Sequence, residues 1–178
     1  NSLDPEIKEA WRLYKKGELM TPSLVARLII EEIEKFNSEG KSIIFSGSFR
    51  TIEEAQKEIP VAEKLYGREN IKIFYIILSE EESVGRNSER RICEKNRHSI
   101  PRPEYDPKLK DITVCPRDGS SIITRMLDKP EIIKERFRVF LRDTAPVIDY
   151  FRENGYKVIE INGEQPIERV TEDILKSF

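Results

Sequence analysis

Histidine, cysteine and tryptophan are nearly absent: the 178-residue chain carries one His, two Cys and one Trp. Two thiols cannot build a disulfide scaffold, which excludes a small cross-linked secreted domain. Long apolar runs are also missing. The longest, Ile71 to Leu78, contains Lys72 and falls far short of the roughly 20 residues that a membrane span requires. There is no excess of one charge either, since 31 Lys+Arg stand against 33 Asp+Glu for a net −2. That balance excludes a strongly basic footprint for nucleic acid. Asp4, Glu6, Lys8 and Glu9 come too early for the apolar core of a signal peptide. What remains is 36 % charged and 38 % hydrophobic residues, the composition of a soluble cytoplasmic α/β domain with no membrane or nucleic-acid partner. The chain begins with Asn1 rather than Met, and a start further upstream is expected.

Apolar periodicity predicts helices over 4–16 and 23–37, the second with Leu24, Leu28, Ile29, Ile33 and Phe36 on one face. Thr21 and Pro22 form its start and Gly40 its stop. A short apolar run at 42–45 reads as a buried strand, followed by a helix over 51–66. A second strand follows at 71–78 and a helix over 80–93. Residues 94–129 lose helical periodicity, hold four prolines and read as an inserted lobe of short strands and loops. A long helix over 130–154, kinked at Pro146, leads to a third strand at 157–161 and a closing helix over 166–178. Alternating strands and helices predict an α/β fold, a parallel sheet with helices on both faces and a small inserted lobe.

Gly40-Lys41-Ser42 imitates the tail of a phosphate-binding P-loop. Lys35 stands where the pattern needs glycine, and a helix leads into a strand instead of the reverse, so no helix N-terminus faces a phosphate. The segment reads as a helix stop. The arginines are more informative. Arg86 and Arg90, four apart, precede the inserted lobe, and Arg125 and Arg136 follow it. On a helix that spacing puts the first two on one face, as a solvated basic face or as an anion site. Four arginines bracketing an insert suit a lid over phosphates, because each guanidinium bonds two phosphate oxygens and neutralises their charge.

These residues carry a resemblance to the adenylate kinase family of nucleoside monophosphate kinases, over nearly the whole chain. Its GELVPDELV-like segment resembles Gly17 to Val25, and its DGFPRT segment resembles Ser46 to Thr51. GRRIC is similar to Glu89 to Cys93, and the stretch opening R-x-x-D-K-P-E is similar to Arg125 to Arg136. TAPLIDYY resembles Thr144 to Phe151, and INGEQSI resembles Ile161 to Ile167. The resemblance implies a P-loop kinase-like fold and reversible phosphoryl transfer from ATP to AMP, giving two ADP, with Mg²⁺. It implies AMP contacts from Glu18, Met20, Gly47, Arg50 and Glu54, with Arg50 on the AMP phosphate. It implies catalytic clamping by Arg86, Arg90, Arg125 and Arg136, and contact of ATP with Arg86, Arg90 and Gln165. A cytoplasmic monomer completes that picture. The implied organisation is an AMP-binding helical region at 1–41, core elements at 42–93, a lid at 94–129, and the remaining core at 130–178.

The chain departs from the family at Ser46, Ser48 and Phe49, and at Met126 and Leu127, where the family favours acids. The glutamine that reads adenine falls at Glu54, with Gln56 two residues on; a glutamate accepts from the amino group of adenine but, ionised, cannot donate to its ring nitrogen. Many family lids carry zinc on C-x2-C-x16-C-x2-C or a variant ending in D. Here the pattern is C-x4-H-x16-C-x2-D, from Cys93, His98, Cys115 and Asp118, four good ligands for structural Zn²⁺. A small lobe has little core of its own, so a metal staple has a physical purpose. A metal-free lobe with buried thiols, or a Cys93–Cys115 disulfide, are the other readings. Family members also hold a first strand and a P-loop ahead of Leu19, and a truncated chain is the expectation here. The alternative function is a catalytically dead nucleotide-binding or interaction module.

Overall fold

The computed structural model describes residues 4–16, 21–102, 104, 107–124 and 128–178. It divides into two compact units, residues 1–72 with 142–156, and residues 73–141 with 157–178.

The first unit is helical. It contains α1 (Pro5–Lys16), α2 (Pro22–Ser38), α3 (Ile52–Tyr66) and α6 (Ala145–Glu153). Helix α2 opens behind extended Thr21 with Pro22 in its first turn, where a missing N–H costs nothing. It closes when Gly40, at φ +66°, donates to Asn37 O and Lys41 donates to Phe36 O, both at 2.9 Å. That bond pair is a Schellman stop, so the P-loop imitation is a helix terminus, as its sequence context predicts. Helices α2 and α3 pack together, burying Leu24, Ala26 and Ile33 on one and Ala55, Ile59 and Ala62 on the other. The predicted strand at 42–45 does not form. A strand is defined by ladder bonds to a neighbour; among the described residues none pairs with this run, and Ile44 is 95 % exposed.

The second unit holds the sheets. Strand β1 (Ile73–Ile77) runs parallel to β5 (Val158–Asn162), in register from Ile73↔Val158 to Ile77↔Asn162. The β-branched run at these positions and the intervening helices give the expected α/β class. Helix α4 (Glu80–Ser88) is capped by Ser79, whose Oγ accepts from Glu82 N. It ends at Ser88, short of the predicted end, because Arg91–Cys93 form β2, burying Ile92 and Cys93. Strand β2 is the centre of an antiparallel sheet of order β3-β2-β4, with β3 (Ser99–Ile100) and β4 (Ile122–Thr124). Helix α5 (Pro130–Val139) does not continue smoothly past Pro146. A π turn at Phe140–Thr144 comes first: Pro146 offers no N–H and crowds the preceding turn, so the ladder widens ahead of it. Helix α7 (Ile167–Leu175) closes the chain. Among the described residues no helix is long and apolar enough to cross a membrane.

Candidate functional site

In the second unit the chemistry gathers where parallel β1 and β5 end, the edge at which open α/β sheets commonly bind ligands. Gly163 follows β5 and donates to Ile77 O at 2.9 Å. A Cβ there would lie 2.7 Å from that same oxygen, so only glycine lets the two backbones approach. Gly163 O accepts from Arg86 Nη2 at 2.6 Å, and Arg86 Nε donates to Glu82 Oε1 at 2.6 Å. Glu164 Oε1 accepts from Ser79 N at 2.7 Å, and Ser79 holds that carboxyl below its ordinary range. Arg86 is thereby aimed by α4 and fastened to the strand ends. Gln165, just beyond, donates to Asp173 Oδ2 on α7 at 2.8 Å.

Arg90 lies past the end of α4, not on its face as the predicted helix implied. Its guanidinium forks onto Asp128, with Nε to Oδ2 at 3.1 Å and Nη2 to Oδ1 at 2.7 Å. Asp128 is buried, so this bidentate pair sets the direction of Arg90. Arg86 and Arg90 still meet, in a cavity of about 210 Å³ lined also by Asn87, Ser99, Pro101 and Arg102. Among the described residues no carboxylate lines it. The cavity offers cations and hydrogen-bond donors, which is the chemistry of an anion site. Arg136, on the last turn of α5, is exposed and meets no carboxylate among the described residues. Arg125, Glu18 and Met20 lie outside the described residues.

Cys93, His98, Cys115 and Asp118 converge, with their ligand atoms all within 4.8 Å of one another. Two tight turns deliver them. In the first, Arg97 sits at φ +59° and donates to Cys93 O; in the second, Gly119 sits at φ +70° and donates to Cys115 O. Strand β2 supplies Cys93, and β4 follows the second turn, so the small sheet brings the turns together. His98 Nδ1 lies 3.5 Å from Cys93 Sγ, 3.4 Å from Cys115 Sγ and 3.3 Å from Asp118 Oδ2. Asp118 Oδ2 is 3.3 Å from Cys93 Sγ. Bonds of about 2.3 Å to sulfur and about 2.0–2.2 Å to nitrogen or oxygen separate tetrahedral ligands by roughly 3.3–3.8 Å. These four separations suit such an ion.

Outer contacts support the same reading. Asp118 Oδ1 accepts from Ser120 N at 3.0 Å and Ser120 Oγ at 2.7 Å, and Oδ2 accepts from Asn96 Nδ2 at 2.8 Å. These bonds, Ser120 foremost, hold the Asp118 carboxyl well below the usual carboxylate range. Burial opposes ionisation of Cys93, yet the N–H groups of Asn96 and His98 outweigh it and lower its thiol; burial pushes Cys115 up. Both cysteines are free, so the disulfide reading is not realised. The group can hold a metal.

In the first unit, Gly47, Arg50 and Glu54 fall on one loop-to-helix junction. Gly47 sits at φ +86° and Phe49 at φ +56°. The Phe49 ring is held edge-on against Phe45 and Phe151, at 5.1 and 6.0 Å between centroids. Arg50 Nε donates to Gly47 O at 2.7 Å, and a Cβ at Gly47 would meet Arg50 Nη2 at 2.9 Å. Glu54 Oε2 accepts from Arg50 N at 2.7 Å, while Thr51 Oγ1 caps α3 by accepting from Glu54 N at 3.2 Å. One turn on, Glu58 is wholly buried and, among the described residues, neither of its carboxylate oxygens has a hydrogen-bond partner. Burial, with Glu54 nearby, raises its carboxyl to about 7. Sequence reasoning missed it, although Glu58 shares the spacing of Ala55, Ile59 and Ala62 on the apolar face of α3. It missed Asp128 as the orienter of Arg90, and Ser120 and Asn96 around Asp118.

No protein-family model matches the chain. Curated relatives do. The chain is 34 % identical over 181 residues to the adenylate kinase of Petrotoga mobilis, covering 96 % of this chain and 77 % of that protein. It is 32 % identical over 176 residues to the adenylate kinase of Kosmotoga olearia, with 96 % and 77 % covered. It is 30 % identical over 167 residues to the adenylate kinase of Archaeoglobus fulgidus, with 94 % and 75 % covered. At this identity, over nearly all of its residues and about three quarters of its relatives, the chain belongs to the adenylate kinase family, enzymes that act as nucleoside monophosphate kinases.

Proposed function

We propose that the protein catalyses reversible transfer of the terminal phosphoryl group of ATP to AMP, giving two ADP, with Mg²⁺ accompanying ATP. The carrying observation is the cavity beside the ends of β1 and β5 into which Arg86 and Arg90 converge, with no carboxylate among its described lining residues. Phosphoryl transfer asks for alignment and charge stabilisation more than for covalent help, and oriented guanidinium groups supply both. Arg86 and Arg90 hold the phosphates of ATP, Arg125 and Arg136 join them on the transferring group, and the backbone near Gln165 meets the adenine of ATP. Arg50 takes the phosphate of AMP, Gly47 lies against its base, and the backbone at Glu18 and Met20 completes that pocket. Residues 94–129 act as the lid that keeps water from the phosphoryl group, with 1–41 as the AMP-side helical region and 42–93 and 130–178 as core. The enzyme works as a cytoplasmic monomer. A coupled assay of the full-length gene product with ATP and AMP tests this: turnover dependent on both nucleotides is expected. Nucleotide binding without turnover would move the reading to a binding module.

Glu54 sets the choice of monophosphate. One oxygen is engaged by Arg50 N, so the other is left to accept from an exocyclic amino group of the base, with nothing to donate to the ring nitrogen of adenine. Glu54→Gln is expected to raise kcat/KM for AMP by roughly tenfold, a hydrogen bond's worth, and to lower it for GMP. Equal changes for both nucleotides would remove Glu54 from base recognition.

Cys93, His98, Cys115 and Asp118 hold structural Zn²⁺. When bound, the ion ties the two turns of the β3-β2-β4 sheet together and takes no part in phosphoryl transfer. Elemental analysis is expected to find about one zinc per chain. Cys115→Ser is expected to lose the metal and, with it, hydrogen-exchange protection across β2 and β4. A metal-free protein with full protection there would overturn this assignment.

A further inference from the structure

Arg102 brings a third guanidinium to the anion cavity, and the proposed reaction gives it no part. It follows β3, next to Pro101, and lines the cavity with Arg86, Asn87, Arg90, Ser99 and Pro101. The helix beneath it is adapted to it. Gly85 sits inside α4, where glycine is a poor helix former, and a Cβ at that position would approach Arg102 Nη1 to 3.1 Å. The guanidinium thus lies against the backbone of the turn that carries Arg86. Arg102 Nε stands 3.2 Å from Glu89 Oε2 and 3.2 Å from Glu104 Oε2. Those two carboxylates are 61 % and 62 % exposed, against 22 % for the Arg102 side chain, so both can turn into solvent when a multiply charged anion meets the guanidinium.

We propose that Arg102 is a phosphate-binding residue of the donor-nucleotide site, laid across α4 by Gly85 so that it joins Arg86 and Arg90 on the polyphosphate chain. The proposal rests on reading this cavity as the donor site. The ligand part is the polyphosphate and not the base. The described lining residues supply three cations, a hydroxyl and an amide. Its volume of about 210 Å³ is also below the roughly 300–1,000 Å³ of pockets that enclose a whole drug-sized ligand. A planar fork on each guanidinium suits phosphate oxygens.

The test is calorimetric titration of the full-length gene product with inorganic tripolyphosphate and, separately, with adenosine, alongside steady-state kinetics. Arg102→Ala should weaken tripolyphosphate binding about tenfold and raise KM for ATP by a similar factor, with KM for AMP and adenosine affinity unchanged. Arg102→Lys, which keeps the charge without the fork, should recover part of the loss. Unchanged tripolyphosphate affinity in Arg102→Ala would overturn the inference, as would equal losses for adenosine and ATP, or a wild-type protein that binds no tripolyphosphate. A wild-type protein that binds tripolyphosphate through Arg102 but turns nothing over would uphold the inference and sink the proposed reaction, so the two fail separately.

Discussion

Arg136→Ala will lower kcat by about 10²–10³-fold, the effect of deleting one preorganised transition-state donor, while the melting temperature stays where it was. The separation of the two readouts comes from the surroundings of Arg136. It is exposed on the last turn of α5 and meets no carboxylate among the described residues, so alanine strands no partner and suits the helix at least as well. In the proposed reaction its loss is felt when charge spreads over the transferring phosphoryl group, so the fall is expected in kcat and kcat/KM together, with KM little changed. Arg90 offers no such clean reading. Its guanidinium forks onto buried Asp128, and removing it leaves an uncompensated buried carboxylate, which destabilises the second unit as well as the site. Arg86 has the same difficulty through Gly163 O and Glu82. Coupled assays and thermal melts of the full-length Arg136→Ala protein check the prediction. A kcat within threefold of wild type would remove Arg136 from the transition state.

Glu58→Leu will stabilise the protein by about 3 kcal/mol at pH 8 and by much less at pH 5. Glu58 is completely buried in α3, and both of its oxygens lack hydrogen-bond partners among the described residues. Burial is the first cause of its shift and the nearby Glu54 charge the second, and together they raise the carboxyl from 4.5 to about 7. The folded chain therefore holds this proton more tightly than the unfolded one. Linkage then requires that stability fall as pH rises. The favourable term is complete below about 4.5, is lost progressively up to about 7, and stays lost above that. Leucine removes the titration and the orphaned oxygens while keeping a good helix former in place. Urea unfolding of both proteins at pH 5 and pH 8 reads the difference directly. A gain of the same size at both pH values would show that Glu58 does not titrate in this window. Asp118 moves the opposite way, held low by Ser120, and its contribution is lost only in stronger acid, so the wild-type and Glu58→Leu difference isolates Glu58.

Much of the fold can be read along the chain because local chemistry agrees with the outcome. Thr21-Pro22 and Gly40 mark the ends of α2, since an extended cap, a proline and a left-handed glycine each act within one turn. The runs at β1 and β5 are apolar and β-branched, and they pair in parallel as the alternation of elements implies. Readings failed where a neighbour decided the matter. Ser42 to Phe45 is as apolar as a strand should be, yet no described residue pairs with it. Helical spacing runs on past Ser88, but Ile92 and Cys93 gain burial by becoming the middle strand of a sheet whose partners lie up to Thr124. Pro146 signals a break, though only the three-dimensional ladder shows it as a π turn five residues long that precedes the proline.

The sites divide in the same way. Residue type and spacing pointed to four residues able to hold a metal and to the arginines around the inserted lobe, while the reading of Arg50 as an anion contact came from the family resemblance. Tertiary structure alone decided which of them meet. The small antiparallel sheet brings His98 Nδ1 to within 3.5 Å of both sulfurs. Asp128 turns Arg90, Gly163 anchors Arg86, and Gly85 makes room for Arg102. Those are contacts between residues far apart in the chain, or between a side chain and a bare backbone. Their energy depends on distance and burial, which a linear pattern does not encode.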